Sequence, residues 1–177
     1  MLLRAVSPAD ATRATGVSPP WRQTVRLENV QDVARDILAD SSIILEGFHS
    51  GGPTDQATPL SEVRALAAGQ SARRSSYGTA PGGSTPIDLR LLKALRRLGQ
   101  LGSVHVSEIA GGTHAGHSQH YAGKALDINW VNGKHVGGGA SYAWVASTCR
   151  AYGAARVFSP SYDPYGGHGN HVHCDWT

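Results

Sequence analysis

The sequence predicts an α+β fold, and three observations carry that prediction. Four segments carry helix signals, short alternating runs that suit strands lie among them, and the two kinds follow no regular strand-helix-strand order. The chain has 177 residues, 40% hydrophobic and 16% charged, which suits one domain with a proper core and leaves little room for a second.

Residues 1–24 are rich in Ser, Pro, Ala and Thr without apolar period, so a loose arm is predicted there and the domain proper is assigned to 25–177. Val30, Val33, Ala34, Ile37 and Leu38 follow the spacing of an amphipathic helix starting at Asn29, and residues 42–48 suit a short strand. Thr58-Pro59 places a proline at a first helical position, and Gly69 ends the helix predicted over 60–68. A polar, glycine-rich loop is predicted over 70–84.

Thr85-Pro86 starts the strongest helix signal, with Asp88 near the positive end and Leu89, Leu92, Leu95 and Leu98 along one stripe up to Gly99. Residues 104–107 form a short strand, Gly111-Gly112 a break, and 124–131 an alternating strand that carries Asp127 and ends in the Asn132-Gly133 turn. A helix over 140–152 stops at Gly153, and Pro160, Pro164, Gly166 and Gly167 mark an irregular loop before a last strand over 171–176.

Charge and hydropathy exclude several functions. The net charge of +3 is mild and scattered, which argues against a nucleic-acid groove. No apolar run approaches the roughly 20 residues of a membrane span, and the short Leu2-Leu3 start is broken by Arg4, Asp10 and Arg13, so neither a membrane helix nor an ordinary signal peptide is expected. Cys149 and Cys174 are too few and too far apart for a zinc knuckle; they are one disulfide or two buried thiols.

Six of the nine histidines fall in two windows, 114–120 and 168–173. Imidazole is the commonest protein metal ligand and titrates near neutrality, so two clusters that a fold can bring together suggest a metal site or acid-base chemistry. Strand alternation puts Ala125, Asp127 and Asn129 on one face of the 124–131 strand and Leu126, Ile128 and Trp130 on the other. Gly123 and Ala125 leave space beside the carboxylate. In the last strand His171, His173 and Asp175 share one face, and Val172, Cys174 and Trp176 the core face. Trp130, Trp144 and Trp176 are expected in the core. A zinc ion held by His120, Asp127 and one histidine of the last strand would keep a fourth position for water, as catalytic zinc sites do.

Ser118, His120, Gly123, Ala125 and Asp127 reproduce the SxHxxGxAxD signature, and His171-Val172-His173 resembles the closing HxH, of the LAS zinc peptidases. That group contains D-Ala-D-Ala metallocarboxypeptidases, phage endolysin peptidases and the hedgehog signalling domain. The halves lie about 45 residues apart, which suits the group, and the likeness extends loosely from Val25 to the end. It implies a small antiparallel sheet with flanking helices, one zinc per chain on His120, Asp127 and His173, and His171 as the active-site histidine. Two departures stand out. The dipeptidase branch has a glutamate where Asn170 stands, so the segment is closer to the HxxHxH ending of the carboxypeptidase branch, with His168 joining His171. Many members also have an arginine after the strand preceding the signature, whereas this chain has Ser107-Glu108-Ile109-Ala110.

The mechanism expected from that resemblance lets zinc activate water and polarise the scissile carbonyl, with His171 taking the water proton and His168 serving the oxyanion or the leaving amine. Asp175 is a candidate to orient an imidazole. Ser118, His117 and His114 are the substrate-binding candidates. The expected partners are peptidoglycan peptides cut next to D-Ala, with no nucleic acid, no membrane span and a monomeric chain. The setting implied is the cell wall or the extracellular space, reached without an evident signal peptide by phage lysis or an injection machine. The alternative class is a hedgehog-like zinc-binding interaction module without turnover. A metal-dependent nuclease is disfavoured because no basic stripe accompanies the histidines.

Overall fold

The computed structural model describes residues 28–49 and 52–177, so the arm predicted over 1–24 lies outside the described residues. Its main sheet runs in the order β1 (Ile43–Leu45), β4 (Val104–Glu108), β5 (Ala125–Val131), β8 (Val172–Asp175), β7 (Arg156–Phe158), with β6 (Lys134–His135) turning back on β5. Among the described residues of this sheet only β1 and β4 pair in parallel; the other pairings are antiparallel. Four helices accompany it: α1 (Val30–Ala39), α2 (Pro59–Ala67), α3 (Leu89–Leu101) and α4 (Ala143–Ala151). The fold is α+β with a small, mostly antiparallel sheet. No helix among the described residues is long and apolar enough to cross a membrane.

Helices α1, α2 and α3 start where a side chain satisfies a free N–H group. The Asn29 side chain accepts from Asp32 N–H at the start of α1, and Thr58 and Ser61 form a reciprocal capping box on α2 with Pro59 just inside. At α3 the cap is Asp88 rather than Thr85-Pro86, because Ser84–Thr85 is drawn into a strand, β3, against β2 (Ala72–Arg73). That two-stranded ribbon closes the segment predicted as plain loop over 70–84. Gly99 does not end α3 either. A side chain there would come within 2.6 Å of Ile43 Cγ1, so the glycine lets the helix pack closely over β1.

One face of the sheet is core. Val104 and Val106 of β4, Leu126 and Ile128 of β5, and Val172 and Cys174 of β8 pack with Leu91, Leu92, Leu95 and Leu98 of α3. Trp176 closes this layer, fully buried, with its indole N–H donating to the Tyr152 carbonyl at 3.0 Å. Trp130 departs from the predicted alternation. Between the pairs His105↔Trp130 and Val106↔Ile128 the β5 chain carries one extra residue, Asn129. This bulge shifts the phase by one, so Val131 takes the core position while Trp130 is 38% exposed, stacked on His105. A second bulge at Ser107, between Val106↔Ile128 and Glu108↔Asp127, turns Glu108 to the other face.

The motif glycine also has a different reason from the one its spacing suggested. Gly123 sits at φ +70°, and a Cβ there would collide with the Pro86 carbonyl. Its carbonyl accepts from Asp88 N–H at 2.9 Å, which joins the turn before β5 to the start of α3. The space it provides lies against Pro86, and it is Ala125, paired with Asp175, that keeps the site face low.

Cys149 of α4 and Cys174 of β8 form a disulfide across 25 residues of sequence. It pins the strand carrying His173 to a core helix. Closing a loop of that length restricts the unfolded chain by about 3 kcal/mol. Replacing both cysteines by serine is expected to lower unfolding stability by about that amount in urea titration, and alkylation of the folded wild type without reductant is expected to find no free thiol.

Candidate metal centre

The other face of the sheet forms the floor of a cleft of about 730 Å³. Register decides its centre: Asp127 of β5 lies opposite His173 of β8, which lies opposite Phe158 of β7. His120 reaches in from the turn before β5. Its Nε2 stands 3.3 Å from Asp127 Oδ2 and 3.3 Å from His173 Nδ1, and His173 Nδ1 is 2.8 Å from Asp127 Oδ1. All three residues are buried.

Their partners orient the donors. A carbonyl can only accept, so the contact of His120 Nδ1 with Ile109 O at 2.7 Å fixes the proton on Nδ1 and leaves Nε2 facing the centre. Ile109 is held in turn by Glu62, a fully buried carboxyl of α2 whose oxygens accept from the next N–H, Ala110, at 3.2 Å. Burial pushes Glu62 well above the usual carboxylate range. Behind His173, Nε2 is 3.5 Å from Asp175 Oδ2. Asp175 is fully buried and pairs with Arg156 Nε at 2.9 Å, so the strand-end carboxylate belongs to the site.

The charges are coupled. Burial opposes ionisation of Asp127, yet the adjacent imidazoles of His120 and His173 hold its carboxyl well below the usual range. For His173 burial disfavours the cation, but the hydrogen bonds to Asp127 and Asp175 prevail and push it up to about 9. His173 Nδ1–H therefore donates to Asp127 Oδ1. His114, His120 and Asp127 each offer a donor atom within 4.8 Å of the others, a group that could hold a metal ion.

The remaining histidines differ in what they can still do. His171 Nδ1 lies 2.7 Å from Asn170 Oδ1, so its N–H donates there and Nε2 faces inward, 3.6 Å from Asp127 Oδ2. Burial keeps its pKa below the ordinary histidine value. His168 donates Nδ1–H to Asp163 Oδ1 at 2.8 Å, while its backbone N–H donates to Oδ2 at 2.7 Å. Its ring lies 5.2 Å from that of His171.

His114 stacks flat on His120, with centroids 4.0 Å apart and an interplanar angle of 7°, and donates Nε2–H to the Gly111 carbonyl at 3.0 Å. Burial, reinforced by His120, pushes it down to about 3, so it stays neutral. The Ser118 hydroxyl accepts from His120 N–H at 3.3 Å and thereby shapes the ligand turn while lining the cleft. His117 is exposed at the cleft rim.

A second polar cluster has no sequence signature. His49 lies between Glu108, both of whose oxygens are 3.0 Å from Nδ1, and Asp55, 3.0 Å from Nε2. These residues are far apart in the chain, and the Ser107 bulge brings Glu108 to the site face. The Glu108 hydrogen bond is the largest cause that raises His49 to about 9, with burial opposing and Asp55 assisting. No protein-family model, curated protein or solved structure matches the chain.

Because the folded pKa of His49 lies above the unfolded value near 6.5, its stabilising contribution is complete below about pH 6.5 and is lost as pH rises through about 9. Thermal unfolding midpoints are expected to fall between pH 7 and 9.5, and His49→Gln should flatten that fall. An unchanged slope in the variant would remove His49 as its source.

Proposed function

We propose that the chain is a zinc-dependent peptidase that hydrolyses peptidoglycan stem or cross-bridge peptides next to D-Ala, as a DD-carboxypeptidase or an endopeptidase. The observation that carries this reading is the convergence of His120 Nε2, the Asp127 carboxylate and His173 Nδ1, at 2.8–3.3 Å, beneath two further histidines. Four-coordinate zinc with bonds of about 2.0–2.1 Å separates its ligand atoms by about 3.3 Å, so two of the three spacings already suit it. His173 is the better third ligand than His114. An imidazole binds through a lone pair in its ring plane, and the nearly parallel planes of the stacked His114 and His120 rings, with centroids 4.0 Å apart, do not meet at one ion, whereas His173 is inclined at 60° to His120.

Zinc held there supplies Lewis acidity towards a water molecule and towards the scissile carbonyl. The chain supplies the proton handling. His171 presents an unprotonated Nε2 to the centre because Asn170 takes its Nδ1–H, so it is suited to accept the water proton. Asn170, which cannot itself serve as a base, thus acts by fixing a tautomer. His168, oriented by Asp163, is suited to stabilise the oxyanion or return a proton to the leaving amine. The substrate class rests on the resemblance to LAS peptidases. The Cys149–Cys174 bond supports action in an oxidising compartment, at the cell wall or outside the cell.

Elemental analysis of the purified protein is expected to give one zinc per chain, lost in His120→Ala, Asp127→Ala and His173→Ala. His171→Ala is expected to keep the metal and lose about two or more orders of magnitude in hydrolysis of purified sacculi. Chelator should abolish wild-type hydrolysis and added zinc restore it. A protein that retains zinc yet releases no peptide from sacculi would instead be a binding module.

A further inference from the structure

The cleft holds a row of side chains beside the metal centre that the proposed chemistry leaves unused. Two residue pairs along from Asp127–His173–Phe158, on the same face, the register continues Ala125–Asp175–Arg156. Two residues of strand span about 6.6 Å. Arg156 is the sole lysine or arginine among the described residues that line the cleft. Its Nε donates to both Asp175 oxygens, at 3.2 and 2.9 Å, and its guanidinium carbon lies 5.9 Å from the Phe158 ring centroid. Among the described residues neither Nη donates a hydrogen bond, and the side chain remains 47% exposed.

A guanidinium anchored through one nitrogen, with its two terminal nitrogens free towards a cleft, presents paired donors to a planar anion. Asp175 is fully buried, so it fixes the cation without competing from the solvent side, and Ala125 leaves the floor beside it low. The opposite end of the cleft carries the contrary sign, since Glu108 and Asp55 enclose His49. Arg156 and Asp175 offset each other's charge, so what favours a ligand carboxylate at this end is the pair of Nη donors that Asp175 leaves free.

We propose that Arg156 forms a carboxylate subsite, so that the substrate is a peptide whose free C-terminal carboxylate lies just beyond the scissile bond and the chain acts as a carboxypeptidase. This deepens the reading under Proposed function and rests on it. Asp175 links the two sites, 2.9 Å from Arg156 Nε and 3.5 Å from His173 Nε2, so a terminal carboxylate held by Arg156 lies beside the metal ligands and brings the last peptide bond towards the centre. Charge-assisted hydrogen bonds of this kind correspond to about a 10- to 100-fold preference.

The test uses a diacetyl-Lys-D-Ala-D-Ala peptide and its C-terminal amide with the full, zinc-loaded chain. The acid is expected to be cleaved with kcat/KM about 10- to 100-fold above the amide. Arg156→Gln should raise KM for the acid and abolish the preference. Arg156→Lys, which keeps the charge beside Asp175, should recover only part of it. Equal rates on acid and amide in the wild type, or equal losses on both in Arg156→Gln, would overturn the subsite and leave Arg156 a support for Asp175.

A second readout needs neither turnover nor a variant that folds. In the chelator-treated wild type, the Arg156 Nε–H resonance should shift on titration with the acid and not with the amide. No shift with the acid, or the same shift with both, overturns the subsite. If neither peptide is cleaved while this selective shift is present, the carboxylate subsite stands and the peptidase reading fails.

Discussion

The antiparallel pairing of β5 with β8 is the constraint on which the rest of the site depends. It sets Asp127 opposite His173 on one face while placing Leu126 opposite Cys174 on the other. A slip of one residue would invert both faces, burying the histidine in the core and exposing Cys174 and Val172. Several independent features oppose that slip. The disulfide ties Cys174 to α4, Trp176 fills the core just beyond the strand, and its backbone N–H donates to the Lys124 carbonyl at 2.8 Å, which ends the pairing. The register is thus held from the apolar side, and the polar side inherits its geometry.

On that polar side the protein gathers charge that a folding core would ordinarily avoid. Asp127 and Asp175 are both buried, and each is satisfied by a cation or imidazole within 3 Å. Removing a partner leaves a buried carboxylate less fully compensated, which is costly, whereas the complete set is balanced. The chain of contacts from Glu62 through Ala110 and Ile109 to His120, and from Arg156 through Asp175 to His173, gives each imidazole a defined orientation from behind. Such support restricts the donors to one arrangement, as metal binding and proton transfer require. The His49 cluster shows the same economy at the far end of the cleft, with one imidazolium shared by two carboxylates.

Much of this was legible along the chain because it depends on local rules. The helical stripes of α1 and α3, the Pro59 helix start and the alternation of His171, His173 and Asp175 against Val172, Cys174 and Trp176 all follow from residue spacing. The approach of His120 to Asp127 was also legible, since only six residues of turn and strand separate them. Where a neighbouring element intervened, spacing misled. Gly99 looked like a stop because its packing partner, Ile43, lies in a distant strand, and Gly123 looked like space for a ligand because Pro86 was not visible beside it.

The sequence by itself therefore determined that Asp127, His173 and Asp175 face away from Leu126, Val172 and Cys174, because period-two alternation is a property of the backbone alone wherever no bulge interrupts it. Only the tertiary structure decided what those side chains meet. The bulges at Asn129 and Ser107 exist only as mismatches between two paired strands, and they expose Trp130, bury Val131 and turn Glu108 towards His49. Likewise β7 has three residues and no signal of its own, yet its pairing with β8 brings Arg156 to Asp175 and Phe158 to His173. These contacts are set by hydrogen bonding between segments remote in the chain, and no local pattern encodes the partner.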